Sequence, residues 1–506
     1  MNQLRAGAVL SYISIFISII IALVYTPIMI RLLGQSEFGL YSLIGSLAAY
    51  FSVLDLGLGN AIVRYTARNR AKGDKEFESR LNGTFLMLFS IIGILTVLIG
   101  IIVYSNIEFI FGSSLAESEI DKAKIMIVVL IINFSLSFPL SVFQSIIRAY
   151  ERFVVDKLIS ITRIVMAPVL ILPLLLFGYG SISMVVTTTI VNLSTLLYAT
   201  YYAFSHLGIK VSFNRVDNTV IKEIFGYSFF IFLNIIVDQI FWKTDQIILG
   251  IVSGTISVAI FAIGMQFITL YMQFSTAIAN LFLPRLSMME ANNASNEEFS
   301  NVMIKYGRIQ FILIAYILSG FIVFGQYFIN FWAGPDYSPA YYIVLAMMVP
   351  LTIPLTQNIG IAILQAKNKL AFRSTLYIIL AILNVLITIP LAIRYDGIGT
   401  ALATGISLIV GHIIIMNIYY YRYIGLDIPR YWSNILKLMA PVLLSAGIGL
   451  YFIKVIFPIS SVIQFILGII IFSLLYLFLN WIFGMNKSEK ELFLSMLGNL
   501  MNRLRF

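Results

Sequence analysis

The sequence predicts an all-α polytopic membrane protein with about 14 transmembrane helices. Three observations predict it: about fourteen long apolar stretches separated by short polar turns, basic residues that fall mainly on alternate sides of those stretches, and an internal repeat. Of the 506 residues, 60% are hydrophobic and only 11% charged, with a mean hydropathy of +0.96. That leaves too few charged side chains to cover a water-facing surface. A helix needs roughly 20 apolar residues to cross the hydrocarbon core, and fourteen of them with tilt and overhang occupy on the order of 350 residues. The chain is long enough for that.

In order, the spans fall near 8–33, 38–63, 81–105, 123–147, 157–178 and 181–205, then 224–250, 256–283, 309–332, 340–365, 374–394 and 398–421. A final pair lies near 437–457 and 460–484. The first stretch runs past twenty residues into Pro27 and Arg31 without a small-residue cleavage site, so it reads as a retained helix and not as a signal peptide. With both termini in the cytoplasm, the inner segments hold 26 of the 33 basic residues and the outer segments five: Arg31, Lys122, Lys124, Arg394 and Lys454. That asymmetry sets the orientation. The net charge of +10 then reflects topology and attraction to anionic lipid headgroups, and needs no nucleic acid to explain it.

No linker is long enough to hide a soluble domain. The longest inner loop, 285–308, carries Ser295 and Glu298 at capping-box spacing, which predicts a short interfacial helix in part of it. Ser488 and Glu491 repeat that signal in the tail. After them Leu492, Phe493, Met496, Leu497, Leu500 and Leu504 form an apolar stripe ending in Arg503 and Arg505, as expected of a helix on the inner leaflet. There are no cysteines, and His206 and His412 stand far apart, so neither a disulfide nor a zinc site is expected. No cofactor is called for.

Two weak matches recur at one offset. IIRAYERF (146–153) resembles ILQAKNKLAF (363–372), with Ala149 against Ala366, and LLLFGYGSISM (174–184) resembles LAIRYDGIGTA (391–401), with Gly180 against Gly397. Both shifts are 217 residues. RLLGQSEFGLYSL (31–43) also matches IILGIVSGTISVAIF (247–261), with Gly34 against Gly250. Duplication predicts a six-helix lobe over 1–210, a second over 211–425, an additional helix pair over 426–484 and an amphipathic cytoplasmic tail over 485–506. Six helices per copy make the repeats parallel, related by a pseudo-twofold axis along the membrane normal.

RLLGQSEFGLYSL after the first span, LDLGLGNAIVRYTAR closing the second and TDQIILG in the seventh resemble the bacterial polysaccharide flippases, the Wzx-type O-antigen and capsule repeat-unit transporters. These belong to the multidrug/oligosaccharidyl-lipid/polysaccharide exporter superfamily. The resemblance covers essentially the whole chain. It implies two lobes forming a V around a central cavity, and movement of an undecaprenyl-diphosphate-linked oligosaccharide from the inner to the outer leaflet of the bacterial cytoplasmic membrane.

Charges inside a span cost about 2.5–3.5 kcal/mol on insertion scales, so each is a functional candidate. Arg163 lies about two turns into the fifth span, roughly 9–12 Å from its inner end, and offers a fork of donors suited to phosphate. Lys243, Asp238 and Asp245 share the seventh span; the two acids, seven residues apart, lie on a similar face. Asp55 opens DLGLGN (55–60), where an acid beside glycines either binds H⁺ or Na⁺ or fixes a bend. Substrate-binding candidates are therefore Arg163, Lys243 and Arg31, and ion-coupling or gating candidates are Asp55, Asp238 and Asp245. Arg64, Arg148 and Arg152 are candidates for the entrance. Pro139, Pro168, Pro173, Pro350, Pro354 and Pro390 are candidate bending points.

An enzyme acting on the same lipid-linked sugars needs an acidic metal-binding pair or a sizeable outer loop. The outer loops 106–122 and 333–339 hold no Asp-x-Asp pair, so the sequence reads as a transporter. Without a nucleotide-binding loop, coupling to H⁺, Na⁺ or membrane potential is expected, in a protein working as a monomer. The alternatives within the superfamily are an organic-cation exporter and a lipid II flippase.

Overall fold

The computed structural model describes residues 3–214, 216–279 and 282–504. The side chains of Arg5, Arg215, Arg503 and Arg505, and of Met496, Leu497, Leu500 and Leu504 in the tail stripe, lie outside the described residues. Every described regular element is helical. In order they are α1 (Gln3–Leu33), α2 (Gln35–Ser52), α3 (Leu58–Lys72), α4 (Lys75–Phe111), α5 (Glu117–Ala149), α6 (Phe153–Leu176) and α7 (Ser181–Ser205). There follow α8 (Asn218–Val252), α9 (Gly254–Ala279), α10 (Leu283–Ala291), α11 (Asn296–Trp332), α12 (Ala340–Thr356) and α13 (Asn358–Ala366). The chain closes with α14 (Ala371–Leu408), α15 (Met416–Tyr419), α16 (Ile428–Tyr451), α17 (Val462–Leu479) and α18 (Lys487–Leu504).

Twelve stretches among the described residues are long and apolar enough to cross a bilayer. One of them, Ala371–Ile424, runs 54 residues and turns at Asp396, whose φ of 54° and ψ of −141° interrupt the helix. It therefore holds two spans. The pair α12 and α13, bent by 41°, forms one more, which brings the spans to fourteen. Exposed apolar residues such as Ile94, Leu98 and Ile102 on α4 and Ile463, Ile470 and Leu474 on α17 form the surface a bilayer would cover.

Contacts divide the chain into two compact units. The first holds Met1–Ala262 with Ala392–Gly397, and the second Ile263–Leu391 with Ile398–Phe506. This division differs from the 210/211 junction drawn on the sequence copies because α8 packs along α2 and α3. In the first unit Leu58, Ile62, Phe85, Phe89, Val142 and Ile224 form one core from α3, α4, α5 and α8. Gly39 is required where α2 meets the start of α9, since a Cβ there would stand 1.8 Å from the Thr255 carbonyl oxygen. Gly39→Val is expected to cost about 1–3 kcal/mol as overpacking, read as a lowered melting temperature in detergent. In the second unit α11 packs against α12, α16 and α17.

Local signals explain the helix ends. The Asp74 side chain accepts from the Phe77 amide at 2.9 Å and starts α4, and Asp427 does the same for the Arg430 amide at 3.0 Å in α16. Ser295 and Glu298 form the expected reciprocal box, at 3.2 and 2.7 Å. It opens the 37-residue α11 and not a short interfacial helix; the short helix of that loop is α10, upstream. In the tail the box is Asn486 with Glu489, two residues before the predicted pair.

The repeat is visible in the backbone. Glu151 (φ 56°) and Asn368 (φ 53°) occupy equivalent left-handed positions 217 residues apart. The same three amide–carbonyl bonds surround them: 150 to 146, 151 to 148 and 152 to 147 in one copy, and 367 to 363, 368 to 365 and 369 to 364 in the other. The match of Gly34 with Gly250 shifts, however. The glycine turning the chain between α8 and α9 is Gly254 (φ 81°), the counterpart of Gly34 (φ 76°), while Gly250 lies inside α8. Most of the prolines lie within helices that run on through them; Pro354 stands just before the 41° bend between α12 and α13, and the other sharp interruptions fall at Leu56–Gly57 and Asp396.

Candidate functional site

The first unit carries a polar seam where α5, α6 and α7 meet. Arg163 on α6 is half-buried and donates through Nε (3.2 Å) and Nη2 (3.1 Å) to the hydroxyl of Thr195 on α7. Thr195 is 8% exposed and donates in turn to the Asn192 carbonyl at 2.8 Å. Asn192 Nδ2 donates to Asn133 Oδ1 (2.9 Å) and Ser137 Oγ (2.8 Å) on α5. Two turns before Arg163, the buried Asp156 accepts from Gln144 Nε2 at 3.1 Å. Burying this many polar groups in a membrane is tolerable because they satisfy one another.

Among the described residues no carboxylate lies within ion-pair distance of Arg163. A guanidinium has five N–H donors, and Thr195 engages those on two of its nitrogens. Its other N–H groups make no hydrogen bond among the described residues.

The second set lies along α2 and α8. Tyr50 bonds Thr244, Ser46 bonds Gln246, and the Asp245 between them is 2% exposed and held in the protein interior. Lys243 is half-buried and, among the described residues, makes no hydrogen bond or ion pair. Asp238 is exposed on the same helix and has a partner of its own. Asp55 ends the 3₁₀ turn Val53–Asp55 that closes α2, and its carboxylate accepts from the Gly59 amide at 3.4 Å. Left-handed Leu56 (φ 52°) and Gly57 (φ 73°) complete the break, and Asp55 caps the helix that follows. No hydrogen bond or ion pair joins Arg163 to Lys243 among the described residues.

The remaining candidates are dispersed. Arg31 is exposed in the last turn of α1. Arg64 stacks 4.4 Å from the Tyr227 ring centroid, joining α3 to α8. Arg148 donates to Ser145 at 2.9 Å, and Arg152 is exposed at the start of α6.

Two carboxylates outside the candidates named from the sequence gather helix ends of the first unit. Glu119 on α5 accepts from Ser36 on α2 and from Thr255 on α9 (2.7 Å). Glu37 on α2 accepts from Lys122 on α5 and from the amide (2.9 Å) and hydroxyl (2.5 Å) of Ser181 on α7. Asp396 accepts from Ser257 at 2.8 Å. Five helices are thus latched at that end by three acids.

A family profile described as polysaccharide biosynthesis protein matches residues 4–290, more than half of the chain. The chain belongs to that family. It is 22% identical over 77% of its length to a putative O-antigen transporter of Shigella flexneri, covering 91% of that protein. It is also 22% identical to a probable low-salt glycan biosynthesis flippase of Haloferax volcanii, over 53% of this chain and only 56% of that protein. Among solved structures, the inward closed conformation of the lipid II flippase MurJ superposes with a TM-score of 0.73, at 16% identity, over 94% of this chain and 98% of that one. An inward-facing multidrug resistance MATE transporter of the MOP superfamily gives 0.57, at 18% identity, over 79% and 96%. At such identities these two structures establish a shared fold alone. The resemblance to polysaccharide flippases and the fold class expected from the sequence are both borne out.

Proposed function

We propose that this protein is a flippase that moves undecaprenyl-diphosphate-linked oligosaccharide repeat units from the inner to the outer leaflet of the bacterial cytoplasmic membrane by alternating access. Membership of the family supports the class of cargo. The observation that carries the residue assignment is the half-buried Arg163 guanidinium, steadied on Thr195 with donors left over. A diphosphate entering a membrane protein must exchange its hydration for charged donors, and arginine's planar fork matches phosphate oxygens. With no carboxylate at Arg163 to compete, the anion needs to displace nothing. A small number of such cations holds it loosely enough to let go on the far side.

In this reading the two sequence copies, 1–210 and 211–425, are the parts that rock, and the protein works as a monomer with both termini in the cytoplasm. Lys243 is a second contact for the anion. Asp245 and Asp238 on α8 carry the coupling to H⁺, Na⁺ or membrane potential, whereas the geometry of Asp55 favours a role in fixing the bend. Opening toward the outer leaflet requires the Glu119–Thr255 contact, which joins the two copies, to part.

A cell lacking its own repeat-unit flippase tests the cargo. Expression of this protein is expected to restore surface glycan and clear the lipid-linked precursor from the inner leaflet. Export of organic cations without such rescue would favour the drug-exporter reading, and rescue of lipid II transfer alone would favour a cell-wall role.

A further inference from the structure

The first unit contains a hollow of about 460 Å³ at its basic end, away from Arg163, lined by Arg70, Lys75, Glu78, Asn82, Tyr150 and Lys210. We infer that it is a separate anion site, suited to a phosphate group. This goes beyond the transport reading, since none of these residues belongs to the seam.

The hollow is built by the linker between α7 and α8. After turning at Gly208 (φ 62°), the linker lies against α4: the Ser212 amide donates to the Ser79 carbonyl at 2.9 Å, and Asn82 Nδ2 donates to the Lys210 carbonyl at 3.2 Å. A Cβ on Gly83 would stand 2.0 Å from the Ser212 carbonyl oxygen, so the close approach depends on that glycine. The result is that Lys210 shares a rim with Arg70 and Lys75.

Topology alone scatters basic residues over the loops. Here three converge on one concavity that holds a single acid. That acid is already engaged: Glu78, 8% exposed, accepts from the Tyr150 hydroxyl at 2.5 Å. Arg70 is positioned by its bond to the Ala149 carbonyl (2.9 Å) and by the Tyr150 ring, 3.9 Å away. Lys75 and Lys210 make no ion pair among the described residues. Burial and the Glu78 carboxylate push the Tyr150 hydroxyl up to about 12, so it remains a donor at neutral pH.

A glycerophosphate headgroup of the inner leaflet carries a phosphate of this kind, and so does a soluble phosphate ester. Either would tie Lys210 on the linker to Arg70 and Lys75 at the junction between the two sequence copies.

The purified full chain, in phosphatidylcholine nanodiscs with and without phosphatidylglycerol, tests this by native mass spectrometry of retained lipid. Calorimetry with glycerol 3-phosphate forms the second arm. Lys75→Gln/Lys210→Gln changes only exposed side chains, and its melting temperature is checked alongside. We expect this variant to lose at least about fivefold in affinity for whichever probe the wild type binds, and Lys437→Gln, at an exposed lysine outside the hollow, to bind as the wild type does. Retention of phosphatidylglycerol identifies a lipid headgroup; binding of glycerol 3-phosphate identifies a soluble ester. Equal binding by the double variant and wild type, or no binding of either probe by the wild type, would overturn the site. Because the readout is binding, a failure of glycolipid transfer in the same preparation would count against the flippase reading and leave this one standing.

Discussion

Arg163→Ala is expected to lower glycolipid transfer by about tenfold or more while leaving the protein folded. The bonds at stake are charge-assisted contacts to a diphosphate, each worth about 1.5–3 kcal/mol, and 1.4 kcal/mol is a factor of ten. Thr195 keeps its own bond to the Asn192 carbonyl after the substitution, so the helix junction survives. Arg163→Lys retains charge but loses the fork and the two bonds to Thr195, and should fall between the wild type and alanine. Thr195→Val leaves the guanidinium in place without its anchor, and a smaller loss is expected. The measurement is the initial rate of transfer in proteoliposomes, normalised to reconstituted protein. Rates within twofold of the wild type for both Arg163 variants would remove the residue from the transport path.

Arg308→Ala is expected to be the most destabilising single change in the second unit. Arg308 and Glu489 are 4% and 6% exposed and meet in a paired geometry, Nε to Oε1 at 2.6 Å and Nη2 to Oε2 at 2.9 Å. Arg308 also donates to the carbonyls of Asn434 and Gly484, both at 2.9 Å, so it joins α11, α16 and the turn before α18. Removing it leaves a buried carboxylate without its counter-charge, held only by the Asn486 amide at 2.8 Å. Breaking a buried pair in this way costs about 3–5 kcal/mol. The loss is read as a lowered melting temperature and as faster proteolysis of the tail after Gly484. Arg308→Met/Glu489→Leu replaces both charges by apolar groups and should recover much of the stability. An unchanged melting temperature in Arg308→Ala would show that the pair does not hold the tail.

What the sequence revealed follows from which forces act locally. Span length is a local requirement of the bilayer, so the spans could be approached from hydropathy, and Asp74, Ser295 and Asp427 announce their helices within a turn. Arg163 was legible because a lone charge in an apolar stretch demands a reason. Its partners were not. Thr195, Asn192 and Asn133 meet only through the register of α5, α6 and α7, which no short-range pattern encodes. Glu37 and Glu119 were invisible for a related reason: counting charges by side says nothing about which helix ends converge. Arg308 was counted among the cytoplasmic cations, whereas its partner lies 181 residues away. The tail box was misplaced because Ser488 and Glu491 have the right spacing, yet Asn486 and Glu489 have it too, and only the latter pair places a carboxylate against Arg308.

The most direct test is reconstitution of the purified protein into liposomes carrying a defined undecaprenyl-diphosphate oligosaccharide in one leaflet. Appearance of the glycan in the opposite leaflet is followed with an impermeant glycan-modifying enzyme. Transfer well above protein-free liposomes, strongly reduced by Arg163→Ala, is the predicted result. Background-level transfer by folded wild-type protein, under an imposed proton or sodium gradient as well as without one, would contradict the account.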